Sequence, residues 1–359
     1  MKVLARLAAL AAAGALVLVP TAAQADPGFY AGPIFGISTG PDGTLLVANA
    51  GRGVVDGDTG ELIAELPGIT DVDPIAGTDE LWAVTGAGDD PEEDTGQGFW
   101  RIDGDGEATL IANLFEFEEK SNPHTATVDS NPFDVEDLGG GEALVADAGA
   151  NALLKIDKHG KPKVVAILPD ELVSTANFKS LVGCPEGPPD VCAPPPVGLP
   201  EMIPGQPVST SVAIGPGGFY VGELKGFPAP IGESKVWRVS PHARNAKCGQ
   251  NPHCTVVLDG FTSIIDLVFG PDGRLYVTQI NDLSWLAMEF ALDGAPIPIA
   301  GSVHACNLVT DDTKSECDVV VSGVPILTAI TFRASGLWGA HDALPVPPHA
   351  PDVDPLPLS

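Results

Sequence analysis

The sequence predicts an all-β protein, a six-bladed β-propeller with four-stranded blades. Three observations carry this: one strand–turn–strand unit recurs six times, a further strand pair follows most copies, and helical periodicity is nearly absent. The clearest copies are IFGISTGPDGTLLVA from Ile34, PFDVEDLGGGEALVA from Pro132, TSVAIGPGGFYVGE from Thr210 and IIDLVFGPDGRLYVT from Ile264. Degraded copies start at Asp73 (DPIAGTDELWAV) and Leu327 (LTAITFRASGLWG). In the turns, Pro presets φ and Gly after Asp accepts a positive φ, so each apolar run reverses tightly into the next.

The third strands are read at GFWRIDGDG from Gly98, NALLKIDKHG from Asn151, SKVWRVSPH from Ser234 and WLAMEFALDG from Trp285. Fourth strands follow at ATLIANL from Ala108, PKVVAIL from Pro162 and TVVLDG from Thr255. Only Asp170 to Leu181 reads as a short helix, with Asp170 as its cap. The sixth copy has no clear outer strands, so the last blade is expected to be incomplete or closed by an N-terminal strand around Phe29 to Phe35. The propeller domain is assigned to residues 26–344. The Pro-rich residues 345–359 are assigned to a disordered or extended tail. The Pro-rich stretch Pro185 to Pro207 is read as an insertion between blades three and four, because the repeat continues across it.

Residues 1–25 have the form of a secretory signal. Lys2 and Arg6 precede an apolar run from Leu7 to Val19, and Ala23-Gln24-Ala25 supplies small residues for cleavage. That run is too short to span a bilayer, and no Cys near the cleavage site could accept a lipid. A secreted, extracellular, monomeric protein without a membrane anchor is expected. The net charge of −30 becomes more negative once Lys2 and Arg6 are removed. Such a surface keeps an exported protein soluble, repels nucleic acid and attracts cations.

The six cysteines fall in three close pairs: Cys184 with Cys192, Cys248 with Cys254, and Cys306 with Cys317. In an oxidising compartment these read as three local disulfides that pin loops. A metal site around CGQNPHC would need a second thiol pair or paired histidines that the sequence lacks.

The stretches NPFDVEDLGGGEALVADAGANALLKID, STSVAIGPGGFYVGELKGFPAPIG and FTSIIDLVFGPDGRLYVTQI resemble the secreted ScyD/ScyE family, whose members resemble NHL-type six-bladed propellers. The resemblance is strong from about Asn131 to Ile280 and weaker on either side. It implies an exported propeller, and it brings no established reaction or catalytic residue.

In a propeller, the loops that follow second strands and precede first strands emerge on one face. The residues ending second strands include Asn49, Thr85, Asp147, Glu223 and Gln279, with Asn151, Asn281 and Asp282 just beyond. Asp134 and Asp266 enter first strands, and the run Asp89 to Asp94 lies in a loop of the same set. An acidic mouth to the central channel is therefore expected. The candidate ligand-binding set is Asn49, Asp134, Asp147, Asn151, Glu223, Asp266, Asn281 and Asp282. Carboxylates around a pore suit calcium better than zinc, which nominates Asp147, Glu223 and Asp266 as metal ligands. Capping of strand ends and solvation of the rim explain the same residues without a ligand.

No nucleophile elbow, Walker loop, Rossmann glycine pattern or EF-hand loop is present. The expected function is a secreted binding module that takes an extracellular ligand or protein at its acidic mouth. The alternative is a metal-dependent hydrolase or lyase, like propeller lactonases and streptogramin lyases, with His124 as base.

Overall fold

The GPDG turns show how the repeat is built. In both complete copies the Gly takes a positive φ, +89° at Gly43 and +79° at Gly273. The preceding Asp accepts from the amide two residues on, Thr44 N to Asp42 Oδ1 at 3.0 Å and Arg274 N to Asp272 Oδ1 at 3.1 Å. The computed structural model describes residues 30–88, 92–124, 127–183, 199–308 and 316–358. Residues 1–25, expected to be a secretory signal, and Asp89 to Pro91 lie outside them.

Six antiparallel sheets form six blades around a central channel, in chain order. Their inner strands are Ile34–Thr39, Ile69–Pro74, Pro132–Gly139, Ser209–Gly215, Ile264–Phe269 and Ala329–Arg333. Blades one, two, four and five have four strands each. Blade three gains a fifth, Ala246–Lys247, lent in parallel by a loop of blade four. Apolar clusters fill the spaces between neighbouring blades, for example Val145 and Leu154 of blade three against Val84 and Phe99 of blade two.

Blade six has three strands, and the third is Asp352–Pro355, paired with Gly336–His341. Part of the segment expected as a disordered tail is thus a strand. Val353 and Leu356 are buried, so alternate apolar residues among the prolines suffice to dock an edge strand. The N-terminal segment does not complete this blade. Ile34–Thr39 is the inner strand of blade one, and the ring closes by side-by-side packing of the first and last inner strands. Thr328 Oγ1 donates to Ile34 O at 2.7 Å, and Arg333 pairs with Asp58 at 2.7 Å.

Three helices interrupt the β pattern among the described residues: α1 (Leu114–Ser121), α2 (Ala176–Leu181) and α3 (Trp285–Leu292). The stretch WLAMEFAL, expected as a strand, is α3, and the third strand of blade five is Gly301–Asn307. Leu, Ala, Met and Glu are strong helix formers, and Ser284 caps α3 by accepting from Ala287 N. The helix expected over Asp170 to Leu181 is shorter. Glu171–Ser174 instead pairs as a hairpin with Met202–Gly205, and α2 begins after Thr175 rather than Asp170.

Two disulfides are present among the described residues, Cys248–Cys254 and Cys306–Cys317, both as expected and both fitting an oxidising compartment. The third expected bridge, between Cys184 and Cys192, is not among them: Cys184 and Cys192 both lie outside the described residues. No helix among the described residues is long and apolar enough to cross a membrane.

Candidate functional site

Each of the first five inner strands carries a one-residue bulge near its start, which turns the next side chain toward the ring axis. The bulged residues alternate around the ring. Phe35, Phe133 and Ile265 pack into the apolar cluster on the face where inner strands begin, while Thr70 and Thr210 donate to carbonyls of the next blade at 2.8 Å. The residues after the bulge are Gly36, Asp71, Asp134, Ser211 and Asp266. Each of the three aspartates reaches across to the next inner strand. Asp71 accepts from Val135 N at 3.0 Å, Asp134 from Val212 N at 2.6 Å and Asp266 from Ile330 N at 2.6 Å.

These side chains line a cavity of about 280 Å³ in the channel, together with Asp73 and Glu136. Five carboxyls from blades two, three and five thus meet in one space, and no Lys, Arg or His is among its lining residues. Burial is the first cause of raised proton affinity at all five. It pushes Asp73 and Asp266 up to about 7 and Asp134 to about 6. Asp71 and Glu136 rise well above the ordinary carboxylate range, with burial reinforced by neighbouring negative charge. Asp71 and Asp134 adjoin in this space, and the negative charge of Asp134 adds to burial in raising Asp71. Glu136 is raised by burial and by its acidic neighbours alone.

Of the residues expected at the mouth, the structure brings Asp134 and Asp266 into this cavity. The others are bonded elsewhere, all of them buried except the half-buried Asp282. Asn49 donates to Gly32 O at 3.3 Å. Asp147 accepts from Asn131 N at 2.7 Å, Ala150 N at 3.0 Å and Ser130 Oγ at 2.9 Å. Asn151 accepts from Val208 N at 2.7 Å, and Asn281 donates to Ser284 O at 3.1 Å. Asp282 accepts from Gln279 Nε2 at 2.8 Å and Ser302 Oγ at 2.6 Å. Their hydrogen bonds close strand ends and loops.

Glu223 is fully buried and lies 3.0 Å from the ammonium of Lys225. Lys225 also reaches Glu171 at 2.7 Å, Glu171 meets Lys235 at 2.5 Å, and Trp237 Nε1 donates to Glu223 at 3.1 Å. Burial outweighs Lys225 and pushes Glu223 up to about 7. The carboxylate at this strand end is one pole of a buried ion network. Asp147, Glu223 and Asp266 therefore do not converge as a metal trio, and no group of three His, Cys, Asp or Glu among the described residues closes around a metal position. His124 pairs with Asp170 at 3.1 Å and is not among the residues that line the channel cavity.

Sequence reasoning missed Asp71, Asp73 and Glu136. A signal for Asp71 was present. Aligned as ITDVDP, PFDVED and IIDLVF, the three strands share an Asp in the third place. Starting the second copy at Asp73, four residues past Ile69, hid it.

The channel sets a pH dependence. A folded-state pKa near 7 against an unfolded value near 3.8 means that the folded chain retains protons which the unfolded chain has released. The channel carboxyls thus destabilise the fold progressively as pH rises from about 4 to about 7, and the loss levels off above that window. Asp266→Asn removes one such group. It should stabilise the protein at pH 8 by about 1–2 kcal/mol, allowing for partial wetting of the channel, and leave it unchanged near pH 4. Urea unfolding at the two pH values checks this.

No protein-family profile and no curated protein sequence matches the chain. Among solved structures it is similar to a glucose dehydrogenase-type oxidoreductase from Thermus thermophilus. The identity is 15%, the match covers 92% of this chain and 97% of that one, and the TM-score is 0.53. It is similar to a PQQ-bound aldose sugar dehydrogenase from Streptomyces coelicolor, at 12% identity, covering 96% and 97% of the chains, with a TM-score of 0.53. It is also similar to a gluconolactonase from Xanthomonas campestris, at 12% identity, covering 92% and 87%, with a TM-score of 0.50. At such identities the likeness concerns the fold, and it agrees with the strand order: the chain is a six-bladed β-propeller.

Proposed function

We propose that the chain is an exported binding module of the ScyD/ScyE type, whose central channel takes up a small cationic ligand. The observation that carries this is the convergence of five carboxyls on one cavity lined by no basic side chain. Burial and mutual repulsion raise the affinity of these carboxyls for positive charge, and a ligand cation would meet that same need. The two disulfides support the assignment to an oxidising compartment. The site lies inside the channel, below the face first expected from strand ends.

Titration calorimetry at pH 7.5 with calcium chloride and with spermidine tests this. Saturable binding of either probe, weakened at least tenfold by Glu136→Gln and by Asp266→Asn, is expected. Binding of neither, or binding indifferent to both substitutions, would overturn the proposal.

One observation favours a second reading, as an enzyme. Asp71 and Asp134 adjoin inside the cavity and both hold protons more tightly than ordinary carboxyls, and such a pair can donate with one carboxyl and accept with the other. A lactone or ester hydrolysis screen, in which Asp134→Asn abolishes any turnover found, separates this reading from binding alone.

A further inference from the structure

The acceptor groups of the channel lie at two levels. Asp71, Asp134 and Asp266 occupy the position after the bulge on the inner strands of blades two, three and five. Asp73 and Glu136 stand two residues further along the strands of blades two and three, and Ser38 holds the same place on blade one. All six line the one cavity. Two residues of strand advance about 6.7 Å, which sets the separation of the levels along the strands. Between the levels the cavity is lined by Ile37, Val72, Val135 and Leu267, none of which bears a polar side-chain group.

Each level gathers three side-chain acceptors. At the first, every aspartate holds one oxygen on the amide of the next inner strand, which fixes the carboxyls against the channel wall. At the second, Asp73 accepts from Asp137 N at 2.8 Å, while Ser38 Oγ is buried and has no hydrogen-bond partner. A buried hydroxyl without a partner, in the lining of a cavity, calls for a guest that can hydrogen-bond to it. A bare metal ion fits the arrangement poorly, since no three of the acidic side chains among the described residues close around a metal position. A primary ammonium fits it: the group carries three N–H donors, and its burial is tolerated where it is both paired and hydrogen-bonded.

We propose that the channel ligand is a short linear primary diamine, with one ammonium among Asp71, Asp134 and Asp266 and the other among Asp73, Glu136 and Ser38. The inference rests on the reading of the channel as a cation site and names the class of cation. Four or five methylenes on bonds of about 1.5 Å place the two nitrogens about 6–7 Å apart in an extended chain, which matches the spacing of the levels. The methylenes then lie along the stretch that lacks polar side chains. A monoamine fills one level only, and a two-carbon diamine is too short to reach both.

Calorimetry of the full chain at pH 7.5 with putrescine, ethylenediamine, butylamine and calcium chloride tests this. Putrescine should bind at least tenfold more tightly than either of the other amines. Glu136→Gln should weaken putrescine at least tenfold and leave butylamine in place at the first level, whereas Asp266→Asn should weaken both. Should Glu136→Gln fail to fold, Asp73→Asn provides the same reading. Calcium binding without a preference for putrescine would overturn the diamine assignment and leave the channel a cation site. Binding of none of the four would overturn both. A preference for putrescine that survives in a folded Glu136→Gln or Asp73→Asn protein would overturn the two-level arrangement.

Discussion

Lys225→Met should destabilise the protein by about 3–5 kcal/mol at pH 8, the usual cost of removing one partner from a buried ion pair. Lys225 is fully buried, and its ammonium is the only cation in contact with Glu223 among the described residues. Its removal strands that carboxylate, leaving the bond from Trp237 Nε1 as its support. The sign of the pH effect follows. Glu223 then stays protonated to higher pH, and a neutral carboxyl tolerates burial, so the loss should be clearly smaller at pH 5 than at pH 8. Lys225→Met/Glu223→Gln should recover more than half of it, since removing both charges leaves nothing uncompensated. Urea unfolding of the two variants at both pH values decides the matter, and additive losses would show that the two groups act separately. The effect should also be local. Lys225 ties the Glu171–Ser174 hairpin through Glu171, and its carbonyl accepts from Trp285 Nε1 of α3 at 2.8 Å. Faster proteolysis in the neighbouring hairpin than elsewhere is the expected signature.

The second large effect belongs to Gly36→Ala. A Cβ there would lie 1.9 Å from Asp71 Oδ1 and 2.8 Å from Asp71 Cα. Swinging the carboxyl aside relieves only the first clash. The second involves backbone, so the inner strands of blades one and two must move apart. Asp71 would also lose the Val135 amide. Overpacking and a broken buried hydrogen bond together should cost about 2–4 kcal/mol. Adding Asp71→Ser should restore part of this, because the shorter side chain vacates the space. Thermal unfolding of both variants is the measurement, and an unperturbed Gly36→Ala protein would mean that the close approach is not a constraint on the ring.

Most of the architecture was legible in local sequence. The Pro-Asp-Gly turns, the alternating apolar runs and their recurrence name the blades, because turn chemistry and strand period act over a few residues. The missed elements share one cause. α3 carries an apolar run whose periodicity does not separate strand from helix, and the surface that buries it, around Ile280 and Leu344, comes from distant parts of the chain. The last strand, Asp352–Pro355, exists only because Gly336–His341 offers it an edge.

The chain alone determined six strand–turn–strand units, an acidic balance and cysteines spaced for local bridges. Only the folded ring decided which carboxylates face one another. Asp147 and Glu223 end their strands much alike in sequence, yet the fold buries the first among backbone donors and the second beside Lys225. Asp71, Asp134 and Asp266 meet in the channel because a bulge in each strand turns them inward and ring closure brings three blades around one axis. Side-chain direction depends on register and neighbours, and those are long-range properties that no local pattern encodes.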